Sequence, residues 1–160
     1  VRRLPAPLPS LLALLLGAAP GLPACGRTHL LEDGPYRMTL AEVLRDDCGL
    51  LATPADLWDG DLFTAGHVVR VSYGLAGMEL AGVYLAGQER FRADGTAEGV
   101  PLTLRGRACV VDQVAVTLAA GAADASGTRL AGEVSVRAFS LNRPECSCEL
   151  GATLTGERGP

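Results

Sequence analysis

The sequence predicts an all-β fold: an antiparallel meander closing into a small up-and-down or half-open barrel, with a β-sandwich as the runner-up. Three observations carry this. Apolar and polar residues alternate with a period of two over much of the chain, turn-forming residues recur at short intervals, and only one short stretch has the signature of a helical turn. Strands with one apolar face must either close on themselves or stack as two sheets, and closure also hides the strand edges.

Taken in order, Tyr36, Met38 and Leu40 alternate with Arg37 and Thr39 and predict the first strand. Helix propensity around Leu40 to Asp46 competes there, so this strand is expected to stop early. Thr53 is placed to cap a turn that starts at Pro54, continues through Ala55 to Trp58 and ends at Gly60. In Gly66 to Tyr73, the residues His67, Val69, Val71 and Tyr73 share a face opposite Arg70 and Ser72. Met78 to Leu85 is a nearly continuous apolar run. Further strands are expected at Glu89 to Arg92, Val100 to Leu104 and Cys109 to Leu118. Arg129 to Ser140 sets Leu130, Val134, Val136 and Ala138 against Arg129, Glu133, Ser135 and Arg137, which leaves one side wet. In the last strand, Cys146 to Thr155, the residues Cys146, Cys148, Leu150, Ala152 and Leu154 are in phase and face the core. Turns are expected at Asp33-Gly34, Gly74 to Gly77, Asp94-Gly95, Arg105-Gly106, Gly121 to Gly127 and Asn142-Arg143-Pro144. No repeat of solenoid length is present.

The N-terminal part has a different character. Arg2 and Arg3 precede an apolar, uncharged run from Leu11 to Ala19, and the small residues Gly17, Ala18, Ala19 and Ala24 lie ahead of Cys25. A membrane span is disfavoured because Pro5, Pro7, Pro9, Pro20 and Pro23 interrupt the uncharged segment. The longest proline-free piece, Ser10 to Ala19, reaches only about half of a ~30 Å hydrocarbon core at ~1.5 Å per residue. With Leu22 three residues before Cys25 and Ala24 just before it, this segment resembles the signal peptide and lipobox of bacterial lipoproteins; Pro23 departs from that pattern. The resemblance covers only this first part of the chain. It implies cleavage after residue 24, lipid attachment at Cys25 and a tether over residues 25–33. A single β domain then follows over 34–155, with a frayed tail over 156–160. The membrane, reached through that lipid, is the implied partner. Gly26, in place of the Asp that marks inner-membrane retention in the best-known sorting scheme, favours the outer membrane of a bacterial cell envelope.

Composition fits an exported protein. Fourteen Lys+Arg oppose eighteen Asp+Glu for a net charge of −4, and every basic residue is arginine. Removal of Arg2 and Arg3 would leave twelve basic against eighteen acidic residues, about −6, which excludes nucleic acid as a general partner. With aromatics at 4 %, the core must rest mainly on Val, Leu and Ala.

If Cys25 carries lipid, Cys48, Cys109, Cys146 and Cys148 form an even set in an oxidising compartment and predict two disulfides. Cys146 and Cys148 lie two residues apart, so on a strand their Cα atoms are about 6.6 Å apart, near the upper limit for bridging. Cys48 and Cys109 should therefore each pair with one of them. A four-thiolate zinc site is the alternative, disfavoured because the usual two-to-four-residue ligand spacing is missing. No metal or other cofactor is expected.

Catalytic motifs are lacking. A Ser/His/Asp hydrolase would need His67, yet that residue is in phase with core valines and no Gly-x-Ser-x-Gly elbow accompanies it. Asp56, Asp59 and Asp61 around Trp58 lack the spacing of a calcium loop, and no phosphate-binding glycine loop is present. A non-enzymatic role is expected. In one reading, a barrel interior lined by Tyr36, Met38, His67, Tyr73 and Tyr84 holds a small apolar or amphipathic ligand. In the other, the core is packed, and the protein acts on another envelope protein through its loops, with Trp58 as the most visible anchor.

Overall fold

The computed structural model describes residues 31–50, 55–86 and 88–160. They form eight antiparallel strands: β1 (Gly34–Asp46), β2 (Gly60–Ala65), β3 (Val68–Tyr73), β4 (Met78–Tyr84), β5 (Arg90–Leu104), β6 (Arg107–Ala122), β7 (Arg129–Phe139) and β8 (Cys148–Arg158). Each pairs with its neighbours in sequence, and β8 returns to β1, so the sheet closes into a barrel of meander topology. Helical structure among the described residues is limited to short 3-10 turns, one of them at Ala55–Trp58, where a turn is expected.

Alternation decides which residues face inward. Val69, Val71 and Tyr73 on β3, Leu130, Val134, Val136 and Ala138 on β7, and Leu150, Ala152 and Leu154 on β8 are all buried, and the residues that alternate with them, Arg70, Ser72, Glu133, Ser135, Arg137, Glu149 and Thr153 among them, lie outside. The core fills the barrel axis and draws on every strand.

Seven or eight strands were expected and eight are found, with two compensating differences in where they fall. Residues 60–65 form β2, where the sequence suggests only loop. Its inward positions are Gly60 and Leu62, too few apolar side chains to reveal a period between acidic neighbours. Conversely, Asp94-Gly95 is not a turn, and the two expected strands around it are a single fifteen-residue β5. Gly95 meets a packing demand: a Cβ there would lie 2.6 Å from Leu80 Cδ2 and 2.7 Å from the Glu79 carbonyl oxygen.

Nor does β1 stop early. It continues to Asp46 with register shifts against β8 between Leu40 and Glu42 and between Val43 and Arg45. Each bulge moves the side-chain phase by one residue, which destroys the period-two signal and leaves Leu40, Val43 and Leu44 at helix-like spacing. Both ends of the barrel domain also differ from expectation. Gly156 to Arg158 belong to β8 rather than a frayed tail, and Gly159 N–H donates to the Pro35 carbonyl. Leu31 to Asp33, expected in the tether, are docked: Leu31 is buried, and Glu32 N–H donates to the Gly127 carbonyl.

The barrel has two distinct ends. One carries Leu31, the β2–β3, β4–β5 and β6–β7 turns and the C-terminus of β8. The other carries the β1–β2, β3–β4, β5–β6 and β7–β8 connections, including an Arg105-Gly106 turn with φ of +51° and +74°.

Candidate functional site

The four paired cysteines gather at the end remote from Leu31. Cys48 is bonded to Cys148 with a Cα separation of 5.1 Å, and Cys109 to Cys146 with 5.8 Å. Each of the isolated cysteines thus takes one member of the Cys-Ser-Cys pair, and the two adjacent cysteines do not pair with each other. Cys146 itself lies in a 3-10 turn (Pro144–Cys146) rather than in the last strand, which lets its side chain turn toward β6. The surrounding loops are tied by polar contacts. Asp46 Oδ1 accepts from the N–H groups of Cys48 and Gly49, and the Arg105 guanidinium donates to the Glu145 carbonyl at 2.5 Å. Arg45 and Arg137 both pair with Glu149 on the outer wall.

Of the five residues expected to line the interior, Tyr36, Met38, Tyr73 and Tyr84 are there, each at most 5 % exposed. His67 is not. It sits in the turn between β2 and β3, exposed, because the strand ends before the in-phase position is reached. Tyr36 points to the Leu31 end, where its hydroxyl lies 2.8 Å from the carbonyl oxygens of both Glu32 and Gly127 and shares its proton between them. Tyr84 packs edge-to-face on Phe91, with ring centroids 5.7 Å apart. Tyr73 lies toward the disulfide end, its hydroxyl buried without a protein partner.

Burial governs the ionisation of these phenols. It pushes Tyr36 up to about 12, with the Glu32 and Asp124 carboxylates adding to it and the Arg158 guanidinium opposing. Tyr84 is likewise pushed up to about 12 by burial and by Tyr36 and Asp33, and Tyr73 is raised by burial and the nearby Asp59 carboxylate. All three stay protonated at neutral pH, so they present ring faces and hydroxyls rather than charge.

Trp58 is buried at 4 % exposure and is not a surface anchor. Of the acidic residues around it, Asp59 accepts from the Met38 N–H and so serves the β1 backbone at the point where β2 departs. Beside it, a surface cleft of about 480 Å³ opens over the short β1–β2 seam and reaches Tyr36, Gly60 and Tyr73 between Asp59, Asp61 and Ser72. Among the described residues, no group of three or more His, Cys, Asp or Glu side chains is placed to hold a metal ion, and no helix is long and apolar enough to cross a membrane. Cys25 and the rest of the lipobox-like segment lie outside the described residues.

Exposed apolar side chains lie elsewhere. Phe63, Val68, Val83 and Leu85 are exposed at 56, 45, 51 and 39 %, on the outer wall of β2 to β4 and just beyond it. Val110, Phe139 and Leu141 form a second group toward the disulfide end. The sequence did carry a signal for the first group, since Phe63 and Val83 are apolar at positions out of phase with Leu62 and with Met78, Leu80 and Tyr84.

Comparison with family models, with curated proteins and with solved structures finds no match for this chain.

Proposed function

We propose that this chain is a lipid-anchored, non-enzymatic protein of the bacterial cell envelope that acts through its outer surface. The anchor reading is supported by the lipobox-like residues Leu22, Ala24 and Cys25 and by the arginine-led apolar run before them. The observation that carries the surface reading is the occupancy of the interior. Tyr36, Leu62, Tyr73, Leu80, Phe91, Leu118, Leu130, Leu150 and Leu154 are large, inward-facing and fully buried, and between them they represent all eight strands. Barrels of eight strands are narrow enough to be filled in this way.

A second reading has one specific observation in its favour. The buried Tyr73 hydroxyl has no protein partner, and the cleft at the β1–β2 seam reaches that residue, which suits a small amphipathic ligand offering a hydrogen-bond acceptor.

One experiment addresses both. The full chain is expressed in a bacterium, its membranes are fractionated, and the purified protein is extracted for mass spectrometry. Acylated Cys25, release into the soluble envelope fraction on Cys25→Ser, and no stoichiometric small molecule are expected. An unmodified Cys25 in the membrane-associated chain would refute the anchor. A stoichiometric compound that is lost on Tyr73→Phe would replace the surface reading with the ligand reading.

A further inference from the structure

The first apolar group lies at a particular place relative to the chain's N-terminal side. In the β2–β3–β4 register, Ala65 pairs with Val68 and Val68 with Val83, giving one continuous apolar row on the outer wall. Phe63 and Ala81 flank Arg70 in the next row, and Leu85 follows β4, its N–H donating to the Arg90 carbonyl. These residues are exposed and sit at the barrel end where Leu31 enters. Arginines border them. Arg70 lies across from Phe63, Arg90 beside Leu85 and Arg92 across from Val83. Arg92 is paired with Asp94, whereas Arg70 and Arg90 take part in no ion pair among the described residues. Carboxylates border the face as well: Glu89 and Asp33 lie at this end, Asp33 engaged by Thr64, and Asp61 and Glu79, the latter bonded to Ser72, share a surface pocket with Phe63 and Arg70.

Resting on the lipid-anchor reading, we propose that this face is a second membrane contact. It lays Phe63, Val68, Val83 and Leu85 into the headgroup–acyl boundary, and Arg70 and Arg90 meet the phosphates of anionic lipids. Chain length argues for lipid as the occupant. Cys25 lies six positions before Leu31, and at ~3.3–3.6 Å per residue that distance is about 22 Å at most, so an acylated Cys25 holds this end, and not the disulfide end, against the bilayer. An exposed apolar row fringed by unpaired arginines is the composition of surfaces that lie in the interface plane of anionic membranes. The disulfide-bonded end then faces away from the membrane.

The test uses the full acylated chain in vesicles of phosphatidylethanolamine and phosphatidylglycerol with brominated acyl chains. Val68→Trp and, separately, Val83→Trp place an indole on the face. Val110→Trp does so at the opposite end, and the buried Trp58 supplies the background. The added fluorescence of Val68→Trp and Val83→Trp is expected to be lost largely to brominated lipid, and that of Val110→Trp to aqueous iodide. Iodide quenching of all three would overturn the proposal, as would shielding of the Val68→Trp indole from both quenchers, which would indicate a second copy or a protein partner. The mass of the Cys25 peptide from the same samples separates the two levels. Acylated Cys25 with an iodide-exposed face overturns this proposal and leaves the anchor standing, whereas unacylated Cys25 in a chain that does not sediment with membranes overturns both.

Discussion

The two disulfides close loops of different size, and that difference should be measurable. Cys48–Cys148 spans 100 residues and Cys109–Cys146 spans 37. By the loop-closure relation these restrict the unfolded chain by about 4.7 and about 3.8 kcal/mol at 25 °C. The smaller loop lies inside the larger one, so each bridge shortens the loop left to the other, and the cost of removing one alone falls to about 4 and about 3 kcal/mol. Either is a large share of the ~5–15 kcal/mol that holds a domain together. The assay is urea unfolding followed by circular dichroism. It compares Cys48→Ala/Cys148→Ala with Cys109→Ala/Cys146→Ala, both in a Cys25→Ser background so that no extra thiol can exchange. The outer pair should cost more, by about 1 kcal/mol. A larger loss from the inner pair, or a loss below about 1 kcal/mol from either, would refute the argument that these bridges act mainly on the unfolded chain.

Two further sets of substitutions test the packing. At Gly82 a Cβ would lie 1.8 Å from the Arg92 carbonyl oxygen, so Gly82→Ala should force β4 from β5 and destabilise by about 3 kcal/mol or more; at Gly151 a Cβ meets nothing within 4 Å, and Gly151→Ala should be neutral or stabilise by up to about 1 kcal/mol in the same unfolding assay. Tyr36→Phe removes a hydroxyl bonded to two carbonyl oxygens and should cost about 1 kcal/mol, whereas Tyr73→Phe removes a buried hydroxyl without a protein partner and should be neutral or stabilising; a loss at Tyr73→Phe as large as that at Tyr36→Phe would mean the hydroxyl has a partner.

Much of the fold was legible because the barrel has one wet side. On β3, β7 and β8 the inward valines and leucines stand mostly between charged, hydroxyl-bearing or small residues, and alternation alone assigns their faces. Legibility failed where backbone geometry departs from a regular strand. The bulges of β1 imitate helical spacing, the glycine in β5 that admits Leu80 looks like a turn, and β2 has too few inward side chains to show a period. Disulfide partners were narrowed to two pairings by spacing, and the choice between them needed the fold, because it depends on which strand ends meet. Tyr36 and Tyr73 were found from phase, and Tyr84 from the apolar run that carries it. His67 was in phase too, but phase does not say where a strand stops. The exposed row at Ala65, Val68 and Val83 depends on cross-strand register, which no single segment encodes.

Closure joins the segments farthest apart in sequence, β1 and β8, and the chain secures that seam at both ends by different means. At one end Cys48 and Cys148 bond just where β1 finishes and β8 begins, and the neighbouring Asp47 N–H donates to the Glu149 carbonyl. At the other, the bonds are polar. Arg158 Nε donates to the Asp33 carbonyl, its guanidinium pairs with Glu32 at 3.1 Å, and Gly159 N–H donates to the Pro35 carbonyl. Hairpin pairs form between segments already close in the chain, whereas this last pair must recover the entropy of closing most of the domain. A covalent link therefore contributes most at this seam.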